Sequence, residues 1–173
     1  MNQESKSNPL IDKFLSHMFE IKDLDYLILK GHILTENSLH FFIEMTAVEK
    51  INFKKIKLTY STKIEMAKTL GLFKYNPELY NELKTLNKLR NSIAHNLKYD
   101  QKLFTNFLKG FKKNEEFLET ESGRKIGVNK DVFKTNDFED ISNTAKLNIS
   151  MLHVSDMCIR IFNEGAKLKR EME

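Results

Sequence analysis

Long tracts of this chain contain neither glycine nor proline, and this scarcity constrains the fold more than any other feature. Six Gly and two Pro occur among the 173 residues. Within these tracts apolar residues return at steps of three and four, the spacing that places them on one face of a helix. Strands joined by tight turns would need more turn-forming residues than the chain has. The sequence therefore predicts an all-α fold.

The length and composition predict one domain that folds by itself. A chain of 173 residues suffices for one ordinary core and is short for two. Hydrophobic residues make up 40% of it, which is too many for a disordered chain even beside 30% charged residues. We therefore expect residues 1–173 to form a single helical domain.

Cysteine usage and apolar patterning predict a cytoplasmic protein that does not cross a membrane. Cys158 is the only cysteine and has no partner for an intramolecular disulfide. No segment has the basic start, apolar run and small-residue cleavage site of a secretory signal. Polar residues interrupt every apolar run well before the roughly eighteen residues that a membrane span needs. The net charge of +4 is compatible with a polyanionic partner.

Start and stop signals divide the chain into helices. Apolar periodicity predicts helices near residues 10–21, 25–48, 62–71, 77–96, 100–111 and 137–169. Asp23 or Asp25 can cap the long second helix. Asn76 followed by Pro77 is a strong helix start, because Asn caps free amides and Pro at the first helical position loses no hydrogen bond.

Further signals mark the ends and the apolar faces of these helices. Thr62 and Glu65 form a capping box that opens the short third helix, and Gly71 stands where helices commonly end. The apolar positions of the second helix are Tyr26, Leu27, Leu29, Ile33, Leu34, Leu39, Phe42 and Ile43. One stripe of the last helix contains Ile141, Ala145, Asn148, Leu152, Ile159, Phe162 and Ala166. Residues 112–135 show no helical period and predict a long exposed loop with a short hairpin.

The helix near residues 77–96 carries the residues best suited to chemistry. On a wheel at about 100° per residue, Arg90 falls within a core-facing stripe formed by Leu79, Leu83, Leu86 and Ile93. A buried guanidinium is costly unless an acidic or polar group meets it. We therefore expect Arg90 to be buried beside a partner, with Glu36 of the long helix as the first choice.

A neighbouring flank of this helix collects polar and basic residues. Asn91 and His95 are one turn apart and can hydrogen-bond, which would fix the tautomer of the His95 ring. Lys84 and Lys88 share this flank. Together with Lys98 just beyond the helix, they are the candidate phosphate contacts.

Arg90 and His95 are five residues apart, so on a regular helix they diverge by roughly 140°. They could meet one ligand only through the long reach of Arg, a frayed helix end or a second subunit. The segment that contains them, LNKLRNSIAHN, resembles the signature of the HEPN superfamily, an Arg and a His separated by a few residues with a polar residue after the Arg. That polar residue is Asn91 here. The order of helices is similar to the HEPN bundle of four to five helices.

The resemblance implies an activity. HEPN members of this kind are metal-independent endoribonucleases, and Arg90 and His95 would be the catalytic pair, supported by Asn91 and Glu36. His95 could exchange protons with the attacking ribose 2′-OH or the leaving 5′-oxygen, and Arg90 could neutralise charge in the transition state. The reaction would cleave single-stranded RNA, leave a 2′,3′-cyclic phosphate and spare DNA. We expect neither a metal nor a cofactor.

The resemblance also implies partners. A toxin or antiviral-defence effector of this type would act on RNA and be restrained by an antitoxin or another regulatory protein. Because one chain supplies one His95, we expect a two-fold homodimer with a composite active site. In HEPN toxins paired with a nucleotidyltransferase antitoxin, a Tyr usually lies two residues after the His. This chain has Leu97 there and Tyr99 further on, so it departs from that branch.

Simpler interpretations of the same residues stand beside these. Arg90 can form an internal salt bridge, for instance to Glu36 or Glu44, and His95 can be a surface residue favoured by the helix dipole. The alternative function is then a non-catalytic helical HEPN module that dimerises and binds a nucleotide or a protein partner.

A metal site on the second helix is a further interpretation. His32, Glu36 and His40 share one face at four-residue steps, so His32 and Glu36 could hold an ion together. The outer two are about 12 Å apart along the axis, which is too far for one ion. Cys158 is expected to be an inert buried thiol.

Overall fold

The computed structural model describes residues 18, 20–47, 56–111, 118–119, 125–126 and 142–172. These residues contain five helices, which confirms the predicted all-α fold. They are α1 (Leu24–Thr46), α2 (Tyr60–Thr69), α3 (Pro77–Asn96), α4 (Gln101–Gly110) and α5 (Asn143–Met172). The helix predicted near residues 10–21 lies almost wholly outside the described residues.

Helix α1 lies at the centre of the bundle and contacts α2, α3 and most extensively α5. Asp23, one of the two residues predicted to cap this helix, accepts a hydrogen bond of 2.7 Å from the amide of Tyr26. Gly31 lets α5 approach closely, because a Cβ at this position would lie 2.7 Å from Cγ2 of Val154.

Two of the predicted apolar positions of α1 do not face the core. Tyr26 is 48% exposed and Ile33 is 54% exposed. Helix α1 buries one side against α5 and another against α2 and α3. The remaining side of α1 faces outward and carries these two residues.

The residue that caps helix α2 lies three residues before the predicted cap, Thr62. Oγ1 of Thr59 accepts a hydrogen bond of 3.2 Å from the amide of Thr62, so Thr59 is the cap and Thr62 lies inside the helix. Gly71 follows the helix with a φ of 93°, a conformation that glycine adopts without a Cβ clash. The predicted stop at Gly71 is therefore confirmed.

Helix α3 begins at Pro77 as predicted, but its cap differs. The side chain of Asn76 does not bond to a helix amide; its Nδ2 donates to the carboxylate of Glu164 on α5. The side chain of Asn76 therefore bonds to a residue of another helix instead of capping its own. Asp100 then opens α4 by accepting a hydrogen bond of 2.8 Å from the amide of Leu103.

The predicted apolar stripe of α5 is largely wrong. Leu152 is buried, but Ile159 and Phe162 are partly exposed, and Asn148 and Ala166 are exposed. The middle of the helix is instead buried on every side from residue 149 to 155, because other helices surround it. No single stripe can describe a helix that is buried all round.

Cys158 is fully buried on α5. Burial raises the pKa of its thiol to about 12, so the thiolate is not populated at neutral pH. The prediction that this cysteine is buried is confirmed.

Two short strands lie within the predicted loop. Leu118–Glu119 and Lys125–Ile126 pair antiparallel, with Leu118 opposite Ile126 and Glu119 opposite Lys125. The predicted short hairpin is confirmed, and the rest of the loop over 112–135 lies outside the described residues.

None of the helices in the described ranges has both the length and the apolar content that a bilayer span requires.

Candidate functional site

Helix α3 places Arg90 at the surface rather than in the core. The four apolar positions predicted to face inward are buried, namely Leu79, Leu83, Leu86 and Ile93. Arg90 itself is exposed, so the prediction of a buried guanidinium is wrong. Its Cα lies near the stripe on the wheel, but the long side chain carries the charged group past the edge of the helix into water.

Asn91 holds the guanidinium of Arg90. Nη1 of Arg90 donates a hydrogen bond of 3.0 Å to Oδ1 of Asn91. The predicted hydrogen bond between Asn91 and His95 is not formed, so Asn91 positions the arginine and not the imidazole. Asn91 itself lies one turn before His95 on the same flank of the helix.

His95 is exposed in the last turn of α3. The helix ends at Asn96, and the amide of the next residue, Leu97, donates to the carbonyl of Ile93 over 2.9 Å. Oγ of Ser92 donates to the carbonyl of Lys98 over 3.4 Å and fixes the turn that follows. Within the part of the chain that the structure describes, the His95 ring makes no hydrogen bond or ion pair. Both ring nitrogens are therefore available to a ligand.

Glu36 does not contact Arg90, so the prediction of that partnership is wrong. Its Oε1 accepts a hydrogen bond of 2.9 Å from Nζ of Lys63 and ties α1 to α2. Glu44 contacts His40 instead of Arg90. No carboxylate of the described ranges lies within ion-pair distance of Arg90, so the internal salt bridge considered for it is not formed.

His32 of α1 forms a hydrogen bond to Asn87 of α3, which lies about one turn before Arg90. Its Nε2 donates a hydrogen bond of 3.1 Å to Oδ1 of Asn87, and its ring stacks on Tyr60 with the centroids 4.0 Å apart. The hydroxyl of Tyr60 in turn bonds to Oγ1 of Thr35 over 2.9 Å. This joint fixes the part of α3 from which Arg90 extends.

The pKa of His32 is lowered, chiefly because burial disfavours the charged imidazole. The hydrogen bond to Asn87 and the charge of Glu36 oppose this effect, while the positive charges of Arg90 and Lys63 add to it. His32 is therefore a neutral imidazole at pH 7 and adds no charge beside Arg90.

The three predicted phosphate contacts differ in availability. Lys88 and Lys98 are exposed. Lys84 is half-buried, and its Nζ donates to the hydroxyl of Tyr80 over 3.2 Å and lies 4.9 Å from the centroid of that ring. The ammonium of Lys84 is already engaged, so Lys88 and Lys98 are the better candidates.

An acid-free segment surrounds the candidate site. Residues 83–99 contain four Lys or Arg and one His but no Asp or Glu. An approaching phosphodiester would meet positive charge that no neighbour in this segment neutralises. We call the exposed end of this segment the basic surface of α3, formed by Lys88, Arg90, Asn91, His95 and Lys98.

The residues of the metal interpretation of α1 contact separate neighbours. His32 and Glu36 are engaged by separate neighbours, and Nε2 of His40 contacts Oε1 of Glu44 over 3.2 Å. No three His, Cys, Asp or Glu side chains of the described chain converge on one point.

A second titratable cluster lies in the core, and sequence reasoning missed it. Oε2 of Glu82 on α3 contacts Nη2 of Arg160 and lies 3.5 Å from Nε2 of His153, both on α5. Arg160 also pairs with Asp156 over 2.8 Å. Burial raises the pKa of Glu82, but the hydrogen bonds from His153 and Arg160 outweigh it and leave that pKa below its usual value. The cluster is an ionised clamp between α3 and α5.

The basic surface of α3 can bind a phosphate through Arg90 and transfer a proton through His95, but one chain offers one such imidazole. No family model, curated protein or solved structure matches this chain, so the chemistry of its own residues is the guide to its function.

Proposed function

We propose that this protein is a metal-independent endoribonuclease that cleaves single-stranded RNA. The observation that carries the proposal is the state of Arg90 and His95. Both are exposed on an acid-free segment, and among the described residues neither has a carboxylate partner. A helix that only supported a bundle would gain from pairing such a guanidinium. Left unpaired, it is available to a phosphodiester.

The proposed reaction is an internal transfer at phosphorus. A base removes the proton of the ribose 2′-OH, and the 2′-oxygen forms a bond to phosphorus. The bond to the 5′-oxygen breaks as that oxygen takes a proton, which leaves a 2′,3′-cyclic phosphate and a 5′-hydroxyl. Arg90 donates hydrogen bonds to the charged oxygens of the transition state, and His95 carries one of the two protons.

The two proton transfers occur on opposite sides of phosphorus and need two groups, whereas one chain has one His95. We propose that a two-fold homodimer supplies both by joining two copies of Arg90 and His95 in one cleft. Lys88 and Lys98 would extend the path of the RNA on either side. The like charges across this cleft disfavour the empty dimer and favour one that holds a polyanion.

A nuclease of this kind would harm its own cell unless it were restrained. We propose that it acts as a toxin or antiviral-defence effector under the control of an antitoxin or another regulatory protein. Its expression should slow the growth of host cells, and His95→Ala should remove that effect.

Incubation of the purified protein with RNA in excess EDTA tests the proposed activity. The protein should cleave single-stranded RNA, leave DNA of the same sequence intact and produce 2′,3′-cyclic phosphate ends. Arg90→Ala and His95→Ala should each lower the rate by about 100-fold or more. Arg170→Ala removes an exposed arginine of α5 and is the matched control, which should cleave at the parent rate.

A His95→Ala protein that cleaves as fast as the parent would overturn the catalytic assignment. Parent protein that stays inert toward RNA, both under chelation and with added Mg²⁺ or Mn²⁺, would support the non-catalytic helical module. Circular dichroism of each variant shows whether the helices are intact, so that loss of activity is not loss of fold.

A further inference from the structure

One face of α1 carries an exposed stripe, which borders α5 where the ring centroids of Phe41 and Phe162 lie 5.0 Å apart. Its exposed residues follow one another at steps of four, three, four, four and three, which keeps them on one side of the helix. They form what we call the outer stripe of α1, namely Tyr26, Lys30, Ile33, Asn37, Phe41 and Glu44. Half of the large apolar residues exposed in the described ranges lie on it. Such a concentration of apolar surface on one helix indicates a contact with another molecule.

The residues of the outer stripe are arranged symmetrically about its middle. Lys30 lies seven residues before Asn37, and Glu44 lies seven residues after it. Ile33 and Phe41 lie four residues before and after the same Asn37. An antiparallel pair of α1 helices centred on Asn37 therefore sets each Lys30 against a Glu44 and each Ile33 against a Phe41. A parallel pair would set like charges against each other at both ends.

We infer that the outer stripe of α1 binds the same stripe of a second copy of this chain, antiparallel, about a two-fold axis at Asn37. Contacts between Ile33 and Phe41 fill the apolar centre on each side of the axis. Asn37 meets its own copy at the axis, where a single polar pair fixes the register of two helices. The two pairs of Lys30 and Glu44 close the ends.

The charges at the ends of the stripe do not satisfy each other within one chain. Lys30 has no carboxylate in ion-pair range in the described part of the molecule and lies 5.4 Å from the centroid of the Tyr26 ring. Glu44 contacts His40, which is charged only when its imidazole is protonated. Lys30 and Glu44 are separated by about 21 Å along the helix. A second copy provides the opposite charge for both at once.

The antiparallel pairing also orients α3. His32 and Asn37 are five residues apart, so the side of α1 that bears His32 and faces α3 lies roughly 140° from the outer stripe. A two-fold axis perpendicular to the paired helices leaves this side of both copies on the same face of the dimer. Both α3 helices, each with an Arg90, then lie on one face of the dimer, each on the side of its α1 that points away from the partner. The pairing itself does not depend on the proposed function.

The pairing is tested by exchanging the charges at positions 30 and 44 of the protein. Sedimentation equilibrium at micromolar concentration measures the dimer dissociation constant of each variant. Lys30→Glu alone and Glu44→Lys alone each oppose like charges at both ends, and each should raise the dimer dissociation constant by about tenfold or more. The double variant Lys30→Glu with Glu44→Lys restores opposite charges and should return the constant to within about threefold of the parent. Lys102→Glu, on an exposed position of α4, makes the same change of net charge as Lys30→Glu and should dimerise like the parent.

A parent protein that is monomeric at tens of micromolar overturns the inference. So does a dimer that neither single reversal weakens, or a double variant as weak as the single ones. Ile33→Asp gives a second measurement, because a carboxylate buried at the centre of the contact should abolish the dimer. Circular dichroism verifies that each variant keeps its helices.

RNA cleavage by the same variants separates this inference from the proposed function. If charge exchange changes the dimer dissociation constant as expected but the parent does not cleave RNA, then the proposed pairing stands and the proposed nuclease activity is wrong. If the protein cleaves RNA and the cleavage depends on Arg90, but the charge-exchange variants dimerise like the parent, then the proposed nuclease activity stands and the proposed pairing is wrong.

Discussion

Arg90 and Arg160 show how the same side chain can serve the fold or be left for a ligand. Arg160 is enclosed by Glu82 and Asp156, whose charges offset the cost of its burial. Among the described residues Arg90 makes one hydrogen bond, to the neutral amide of Asn91, and Arg90 is exposed. The guanidinium of Arg160 is paired with carboxylates inside the bundle, whereas that of Arg90 is left available to a phosphate.

Asn91 should affect activity through Arg90. Asn91→Ala removes the acceptor that holds Nη1, so the guanidinium samples more rotamers and the cleavage rate should fall about tenfold. The loss should be smaller than the roughly 100-fold loss expected for Arg90→Ala or His95→Ala, because Asn91 performs no chemistry. Initial rates on one single-stranded RNA compare the three variants. An Asn91→Ala protein less active than His95→Ala would instead make Asn91 a direct contact to RNA.

Glu82 should stabilise the fold in a way that depends on pH. Glu82→Gln leaves Arg160 beside a neutral amide in the core and should lower the free energy of unfolding by about 3 kcal/mol at neutral pH. Because the folded-state pKa of Glu82 is lowered, its contribution is complete above its ordinary value of 4.5 and is lost as the pH falls through the folded-state value. The difference between parent and variant should therefore shrink in acid.

Urea unfolding of both proteins at neutral pH and in acid measures that difference. The pKa of Asp156 is raised chiefly by burial and also by the charge of Glu82, so the difference reports Glu82 together with its effect on Asp156. A difference in the free energy of unfolding that stays constant from neutral pH into acid would show that Glu82 is not ionised in the folded protein.

At the scale of the element, the C-terminal end of α3 is strained at one residue. Leu97 has a φ of 57°, and its side chain is 85% exposed. A left-handed conformation costs an L-residue roughly 1 kcal/mol, and the exposed side chain contributes little packing. Leu97→Gly should therefore raise the free energy of unfolding by about 0.5 kcal/mol, whereas Leu97→Ala, which keeps a Cβ, should not. Equal gains for both variants in thermal unfolding would place the effect in the side chain and not in the backbone.

Helix ends that depend on neighbouring residues were the part of the fold most open to prediction. Asp23 caps α1, Pro77 begins α3 and Gly71 follows α2, each as the sequence indicates. Their hydrogen bonds close within one turn, so local sequence determines them. The cap of α2 was missed because Thr59 and Thr62 are both suitable residues, and local pattern alone does not choose between them.

The candidate site was predictable only in its residue types. A helical wheel reports where a Cα points, whereas the long side chain of Arg90 leaves the face on which its Cα lies. The contact between His32 and Asn87 joins residues 55 positions apart, and that between Glu82 and Arg160 joins residues 78 apart. Such pairs depend on how the helices cross, which no local pattern records.

At the scale of the whole molecule, the charged groups divide into an internal and an external set. The clamp of Glu82, His153 and Arg160 lies between α3 and α5, and the pair of Glu36 and Lys63 ties α1 to α2. These contacts hold the bundle together without the basic surface of α3 or the outer stripe of α1. Both of those surfaces are therefore left for the contacts proposed above, with a polyanion at the basic surface of α3 and with a second copy at the outer stripe of α1.

Mixed dimers should reveal whether the active site is shared between two chains. When the parent is mixed with about a ninefold excess of His95→Ala, at concentrations at which all chains pair, about one parent chain in ten finds a parent partner. If one cleft needs two His95 rings, the cleavage rate per parent chain should fall to about a tenth. Adding Ile33→Asp to the His95→Ala chain should remove this inhibition, because that chain no longer pairs with the parent. A rate per parent chain that stays constant through the titration would show that each chain cleaves alone, and the composite site would be wrong while the roles of Arg90 and His95 could stand.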